Sequence, residues 1–297
     1  MLTTLSLSGI KVLVFRDDLN HATVSGNKLH KLAPNIAHAK ASDCSSVISF
    51  GGPYSNHLHA LAWACKKSDL SSVGFVRGEL HDRLTPTLSD CQKWGMQLIP
   101  LSRKIYRECQ EILSVFGEPC LARDAGLQTR LQDCVNLDSA LIVPEGGSNS
   151  MAIESLSQAY CSVFDLPECQ GVTHAVCATG TGATVAGLYN AASKSINVIG
   201  VQAVAEGDAT LSRIKGWLGV DVPSLTIIEG HLGRFAKAPP KLTEFINQFE
   251  SQHHIPLDPV YTGKAMFKLV ELISAGYFKT EDKVLFIHTG GLQGKRS

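Results

Sequence analysis

Residues 47–76 read VISFGGPYSNHLHALAWACKKSDLSSVGFV. A mostly apolar run at 47–50 stops at Gly51-Gly52-Pro53-Tyr54-Ser55-Asn56, the stretch 57–67 repeats apolar residues at helical spacing, and a second apolar run follows at 73–76. Runs apolar on both faces suit strands buried inside a parallel sheet, and a helix between two of them makes a right-handed βαβ unit. The same alternation extends in both directions. Strands are predicted at 12–15, 98–101, 141–143, 175–178, 198–201 and 284–287, and helices at 86–94, 150–164, 183–192 and 264–275, each opened by Gly, Ser, Thr, Pro or Asn. The fold class is α/β with mostly parallel sheets. No Pro-, Gly- or Ser-rich linker splits the chain and no fixed-period repeat appears, so any domain boundary is expected to be discontinuous.

The 297 residues are 44% hydrophobic and 18% charged, enough apolar surface for a sizeable core in one large domain or two. Lys plus Arg and Asp plus Glu balance at 27 each, so no basic field argues for nucleic acid or an anionic membrane surface. A small-molecule partner is expected, with no nucleic acid and no membrane. Residues 1–16 lack the continuous apolar core of a signal peptide, no later stretch has the length of a membrane span, and nine scattered cysteines fit a reducing compartment. A cytoplasmic location is expected.

Five segments could carry chemistry. Ser25-Gly26-Asn27-Lys28-Leu29-His30-Lys31 delivers a lysine to the start of a helical pattern. A Schiff-base lysine needs partial desolvation or a neighbouring cation to lose its proton near neutral pH, and Lys31 could supply that field; alone, the segment reads more readily as a solvated helix start. The Gly51–Ser55 loop and Asn56-His57 lie after a strand and before a helix, where ligands of open parallel sheets sit. Ser55 and Asn56 offer hydroxyl and amide groups beside helix N-terminal N–H groups, suited to a carboxylate, although the segment would also serve as a plain cap. His57 and His59 lack the spacing of helical metal ligands, and no metal site is read here.

Thr179-Gly180-Thr181-Gly182-Ala183-Thr184, again between strand and helix, suits a phosphate bound by backbone N–H groups without a basic side chain. It is neither a P-loop nor a complete dinucleotide fingerprint. Asp258-Pro259-Val260-Tyr261-Thr262-Gly263-Lys264 and His288-Thr289-Gly290-Gly291 place hydroxyls at element ends, and their weight comes from occurring with the others.

Taken in order, Ser-Gly-Asn-Lys at 25–28, Gly-Gly-x-x-Ser-Asn-His at 51–57, Pro-Glu-Gly-Gly-Ser-Asn at 144–149, the 179–184 loop, Asp-Pro-Val-Tyr-Thr-Gly-Lys at 258–264 and His-Thr-Gly-Gly at 288–291 resemble the 1-aminocyclopropane-1-carboxylate deaminase and D-cysteine desulfhydrase family. The resemblance implies a homodimeric pyridoxal 5′-phosphate enzyme of the tryptophan-synthase-β type (fold type II). A larger cofactor domain, 1–35 with 149–297, would be interrupted by a smaller α/β domain at 36–148. By matching positions, Lys28 would carry the cofactor and Asn56 would bond its ring hydroxyl. Thr181, Gly182, Ala183 and Thr184, aided by Lys31, would hold its phosphate. Ser55, Asn56 and His57 would meet the substrate, Tyr261 would stack on the ring, and Thr262 and Thr289 would lie on the cofactor.

Family deaminases carry a glutamate where this chain has Thr262 and a leucine where it has Thr289, so the resemblance leans to the desulfhydrases. A carboxylate at the pyridine nitrogen holds a proton there and strengthens the electron sink, which opening an unactivated cyclopropane needs and elimination of a β leaving group does not. The expected activity is α,β-elimination on a small β-substituted amino acid, with Lys28, Tyr261 and Ser55 as the catalytic side chains. Ring-opening deamination and a cofactor-binding protein with an unrelated or lost substrate are the alternatives. The arginine of the family's lysine motif is His30 here, and the second active-site tyrosine, expected within 234–240, is missing. A divergent, short member of the family is therefore expected.

Overall fold

The computed structural model describes residues 1–80, 83–116, 118–122, 127, 131, 139–232 and 238–296. In chain order the elements are β1 (Leu2–Leu7), β2 (Ile10–Phe15), α1 (Asn27–Ala41), β3 (Ser46–Gly51), α2 (Asn56–Lys67), β4 (Ser71–Arg77), α3 (Pro86–Lys93), β5 (Met96–Leu101), α4 (Arg103–Phe116), β6 (Cys120–Leu121) and β7 (Ala140–Ile142). They continue with α5 (Ser150–Phe164), β8 (His174–Thr179), α6 (Ala183–Ala191), β9 (Asn197–Gln202), α7 (Ala209–Leu218), β10 (Leu225–Glu229), α8 (Pro240–His253), α9 (Thr262–Ser274) and β11 (Lys283–Ile287).

Two compact units result, Met1–Asn27 with Ile153–Lys295, and Lys28–Ala152 with Arg296–Ser297. The first holds a six-stranded sheet of order β1-β2-β11-β8-β9-β10, parallel except for the β1–β2 hairpin. The second holds a five-stranded sheet of order β5-β4-β3-β7-β6, parallel except for β6.

Strand alternation divides the core of the first unit into two layers. Val12 and Val14 of β2, Val176 of β8 and Phe286 of β11 face Leu242, Ile246 and Phe249 of α8 and Met266 and Leu269 of α9. Their neighbours Leu13, Ala175, Cys177, Leu285 and Ile287 face Leu156 and Tyr160 of α5, Val185 of α6 and Ile214 of α7. A sheet apolar on both faces and covered by helices on both is why the strands read as continuous apolar runs. Each large side chain buried here contributes about 1.5–3 kcal/mol. In the second unit Ile48, Phe50, Val73 and Phe75 pack on Tyr106, Cys109 and Leu113 of α4. Ser49 looks the opposite way, toward α2.

The parallel order puts the carboxyl ends of β2, β8, β9 and β11 along one edge, so the segments after them emerge together. The same holds for β3 and β7 in the second unit. Among the described residues, no helix is long and apolar enough to cross a membrane.

Candidate active site

In the first unit, four of the motif segments meet. Gly26 forms an isolated bridge with Gly290, and Asn27 N–H donates to the Thr289 carbonyl at 3.3 Å. A Cβ on Gly26 would fall 2.0 Å from that carbonyl oxygen, so the turn ahead of Lys28 closes on the segment after β11 only with glycine there. Asn27 Nδ2 also donates to Thr184 Oγ1 at 2.7 Å, joining the residue before Lys28 to the 179–184 loop. The Tyr261 ring lies against Gly180 of that loop, where an added Cβ would stand 3.1 Å from Tyr261 Cε1 and 3.7 Å from Oη. A methyl group at 180 would press the tyrosine back by a few tenths of an ångström, and a larger side chain would displace it.

Gly182 caps α6 with φ +102°, a conformation glycine adopts without the strain other residues incur. The first-turn N–H groups of Ala183 and Thr184 have no partner inside the helix, and the helix dipole adds partial positive charge there. Thr179 Oγ1, at the end of β8, is buried and has no hydrogen-bond partner among the described residues.

Tyr261 and Thr262 are held by Asp258. Its Oδ2 accepts the N–H groups of Val260 (2.8 Å) and Tyr261 (2.9 Å), and its Oδ1 accepts Thr262 N–H (2.7 Å) and Thr262 Oγ1–H (2.8 Å). Thr262 Oγ1 in turn accepts the Asp258 N–H at 2.9 Å. The single hydroxyl proton of this fully buried threonine is therefore committed to Asp258, which leaves it none to donate to a ligand. Thr289 is 7% exposed and follows His288, which lies with one ring nitrogen 2.6 Å from the Pro256 carbonyl and the other 3.3 Å from Asp18 Oδ1.

In the second unit, Lys31 is 2% exposed and its Nζ lies 3.4 Å from the Gly146 carbonyl and 3.3 Å from Ser148 Oγ, on the 144–149 segment. Asn149 Nδ2 on that segment donates to Asn35 Oδ1, and Asn35 Nδ2 donates to the Lys31 carbonyl, so α1 and the segment are tied twice. Lys28 and Asn56 are half-buried. Ser55 Oγ accepts Leu58 N–H at 3.2 Å and so caps α2. One lone pair and the hydroxyl proton remain for other use.

His57 is fully enclosed. Ser49 Oγ donates its proton to the Val143 carbonyl at 2.7 Å, so at 2.7 Å from His57 it can only accept, and His57 Nε2 carries the hydrogen. Nδ1 is then a bare acceptor, buried without a partner among the described residues and packed where a Gly147 side chain would begin, 3.3 Å away. Burial, reinforced by the positive charges of Lys28 and Lys31, holds the His57 pKa well below 6.5. As pH falls below about 6.5 the unfolded chain takes up a proton here that the folded chain refuses, so stability falls with pH at about 1.4 kcal/mol per unit from this one group. Denaturant titrations between pH 7 and 5 should show that slope reduced by one proton in His57→Gln; an unchanged slope would assign the acid sensitivity elsewhere.

Within the first unit the structure therefore assembles Thr181–Thr184, Tyr261 and Thr289, and turns the Thr262 hydroxyl inward. Within the second it sets Lys31 and His57 against the 144–149 segment. The missing tyrosine of 234–240 falls largely on residues 233–237, outside the described residues. Asn27, Ser49 and the bracing role of Asp258 had not been singled out. Ser49 did carry a signal, a lone polar residue within a buried strand.

A family model described as "Pyridoxal-phosphate dependent enzyme" matches residues 2–290. A Thermotoga maritima protein, provisionally named a 1-aminocyclopropane-1-carboxylate deaminase, is 28% identical over 302 residues, covering 96% of this chain and 90% of its own. The Arabidopsis thaliana bifunctional D-cysteine desulfhydrase/1-aminocyclopropane-1-carboxylate deaminase is 28% identical over 307 residues, covering 97% of this chain and 74% of its own. The crystal structure of an ACC deaminase homologue superposes with a TM-score of 0.80 at 25% identity, covering 99% of this chain and 90% of that one. Nearly the whole chain is matched in sequence and in fold: it is similar throughout to 1-aminocyclopropane-1-carboxylate deaminases and D-cysteine desulfhydrases, and it belongs to the pyridoxal-phosphate dependent enzymes.

Proposed function

We propose that the protein is a β-eliminating lyase that converts a small β-substituted amino acid such as D-cysteine, with water, into pyruvate, ammonia and the released β-substituent, here sulfide. The residues present fit the cofactor. Gly180 and Gly182 leave the loop backbone bare, the first turn of α6 presents N–H groups suited to a phosphate, and the buried Thr179 hydroxyl lacks a partner among the described residues. Lys28 would bond the cofactor covalently, Asn56 its ring hydroxyl, Thr181–Thr184 and Lys31 its phosphate, and Tyr261 its ring face. The larger, first unit is the cofactor-binding one, and two copies of the chain form the active dimer.

Pyridoxal phosphate supplies an electron sink that makes the hydrogen on the substrate α-carbon acidic. The chain's own residues do the rest. Ser55, with its remaining hydroxyl proton, meets the substrate carboxylate. Lys28 takes the α-proton from one hand of substrate and Tyr261 Oη from the other.

One observation carries the choice of elimination. The residue after Tyr261 is a threonine with its proton bound to Asp258, and the Asp258 carboxylate is itself engaged by four donors, so this segment offers no acidic group to hold a proton on the ring nitrogen. Thr289 is the hydroxyl that remains to meet that nitrogen. A sink of this strength suffices when the substrate carries its own leaving group.

The test is the visible spectrum of the purified protein, followed by separate addition of D-cysteine, L-cysteine, D-serine, β-chloro-D-alanine and 1-aminocyclopropane-1-carboxylate. Pyruvate from the β-substituted amino acids is expected. 2-Oxobutyrate from the cyclopropane, without pyruvate from the others, would reverse the choice. In the same assay Tyr261→Phe should keep the bound cofactor and lose about 10²–10⁴-fold in turnover, the range for a positioned proton-transfer group; unchanged turnover on both hands of substrate would remove Tyr261 from the chemistry.

A further inference from the structure

Arg213 is half-buried on α7, outside every motif considered so far. Its Nη1 donates to the Thr181 carbonyl at 2.7 Å, and its Nη2 donates to Glu206 Oε2 at 3.1 Å. Thr210 Oγ1 donates to the same Glu206 oxygen at 3.0 Å. Thr210, Arg213 and Ile214 stand at i, i+3 and i+4, one face of α7. That face lies under the turn: a Cβ on Gly182 would meet Ile214 Cγ1 at 3.1 Å and Thr210 Cγ2 at 3.5 Å. The backbone of the loop is thus held from below by one charge-assisted hydrogen bond, with Ile214 and Thr210 filling the space a side chain at 182 would need.

The bond has a directional consequence. The peptide joining Thr181 to Gly182 is trans, so its C=O and N–H point to opposite sides. With the carbonyl turned onto Arg213, the Gly182 N–H is turned to the other side. Left unheld, a peptide next to a glycine at φ +102° could rotate and present its carbonyl oxygen to an anion instead.

We infer that Arg213, held by Glu206 and Thr210, is a positioning residue for the phosphate group of the cofactor: it orients the Thr181–Gly182 peptide so that N–H rather than C=O faces the anion. This rests on the reading of 181–184 as the phosphate loop. Arg213 itself does not touch the ligand, and Glu206 offsets its charge, so its effect is orientation of dipoles rather than a direct ion pair.

The test uses the full chain freed of cofactor and titrated separately with pyridoxal 5′-phosphate and with pyridoxal, which lacks the phosphate, following the visible band. Arg213→Ala should weaken pyridoxal 5′-phosphate about tenfold, the worth of one charge-assisted hydrogen bond, and leave pyridoxal binding unchanged. Arg213→Lys keeps most of the stem and a charged donor, guards against a folding defect, and should fall between Arg213→Ala and the unmodified chain. Equal weakening of both ligands would make Arg213 a general structural residue and overturn the proposal, as would no weakening of either. Should the unmodified chain develop no band with either ligand, the cofactor reading fails and the clasp with it; a normal band in the unmodified chain with a phosphate-insensitive Arg213→Ala sinks the clasp alone.

Discussion

Lys28→Ala should lose the visible band of the bound cofactor and more than about 10⁴-fold of turnover, beyond what a proton-transfer group contributes by itself, because the substitution removes covalent attachment and a base together. The nearest lysine along the helix cannot replace it. Lys31 is one turn on and 2% exposed, and its ammonium is occupied by the Gly146 carbonyl and Ser148 Oγ. The fold should be unaffected, since alanine at the second position of α1 is a good helix former and Lys28 is half-buried rather than packed in a core. Thermal unfolding of the cofactor-free proteins should therefore coincide. A retained band would relocate the covalent lysine, with Lys31 the first place to look.

Asp258→Ala should be the most destabilising single substitution in the motif segments. It takes the acceptor from three backbone N–H groups and one hydroxyl, in a place where the side chain is 1% exposed and water cannot substitute. Unsatisfied buried donors cost about 1–3 kcal/mol each, with partial relaxation, so a loss of about 3–5 kcal/mol and a fall in Tm of roughly 10 °C are expected. Asp258→Asn keeps one acceptor oxygen and should lie between. Because the same carboxylate fixes Tyr261, turnover assayed well below the new Tm should also fall in both variants. A variant with intact Tm and reduced turnover would instead place Asp258 in the chemistry.

Much of this architecture was legible beforehand because buried parallel strands advertise themselves. The runs at 47–50, 73–76, 175–178 and 284–287 all lie within strands, flanked by the helices expected of them. The strands not anticipated are the two-residue β6, an edge of the five-stranded sheet, and β1 and β10, the two edges of the six-stranded sheet. One side of each lacks a neighbour, and the sequences LTTLSL and LTIIE of β1 and β10 mix polar with apolar residues accordingly. The motif segments were visible because glycines and hydroxyls cluster after strands. Their braces were not: Asn27 reaches Thr184 across 157 positions and Arg213 reaches Thr181 across 32, and no local pattern marks such partners. Thr262 shows the converse. Its place beside Tyr261 suggested a ligand contact, yet a hydroxyl four residues after a buried aspartate satisfies that aspartate first.

The meeting of Gly180 with Tyr261, of Asn27 with Thr184, and of Gly26 with Gly290 bears on how this enzyme could be re-engineered. Each pairing is a steric or hydrogen-bonded lock between segments far apart in the chain, so none of the segments is a free cassette. A 179–184 loop taken from a relative with a bulkier residue at 180 would evict the tyrosine, and a new residue at 27 would release the loop. Changes of specificity by transplantation should succeed when 25–27, 179–184, 258–262 and 288–290 move as one block, and should yield inactive protein when any one moves alone.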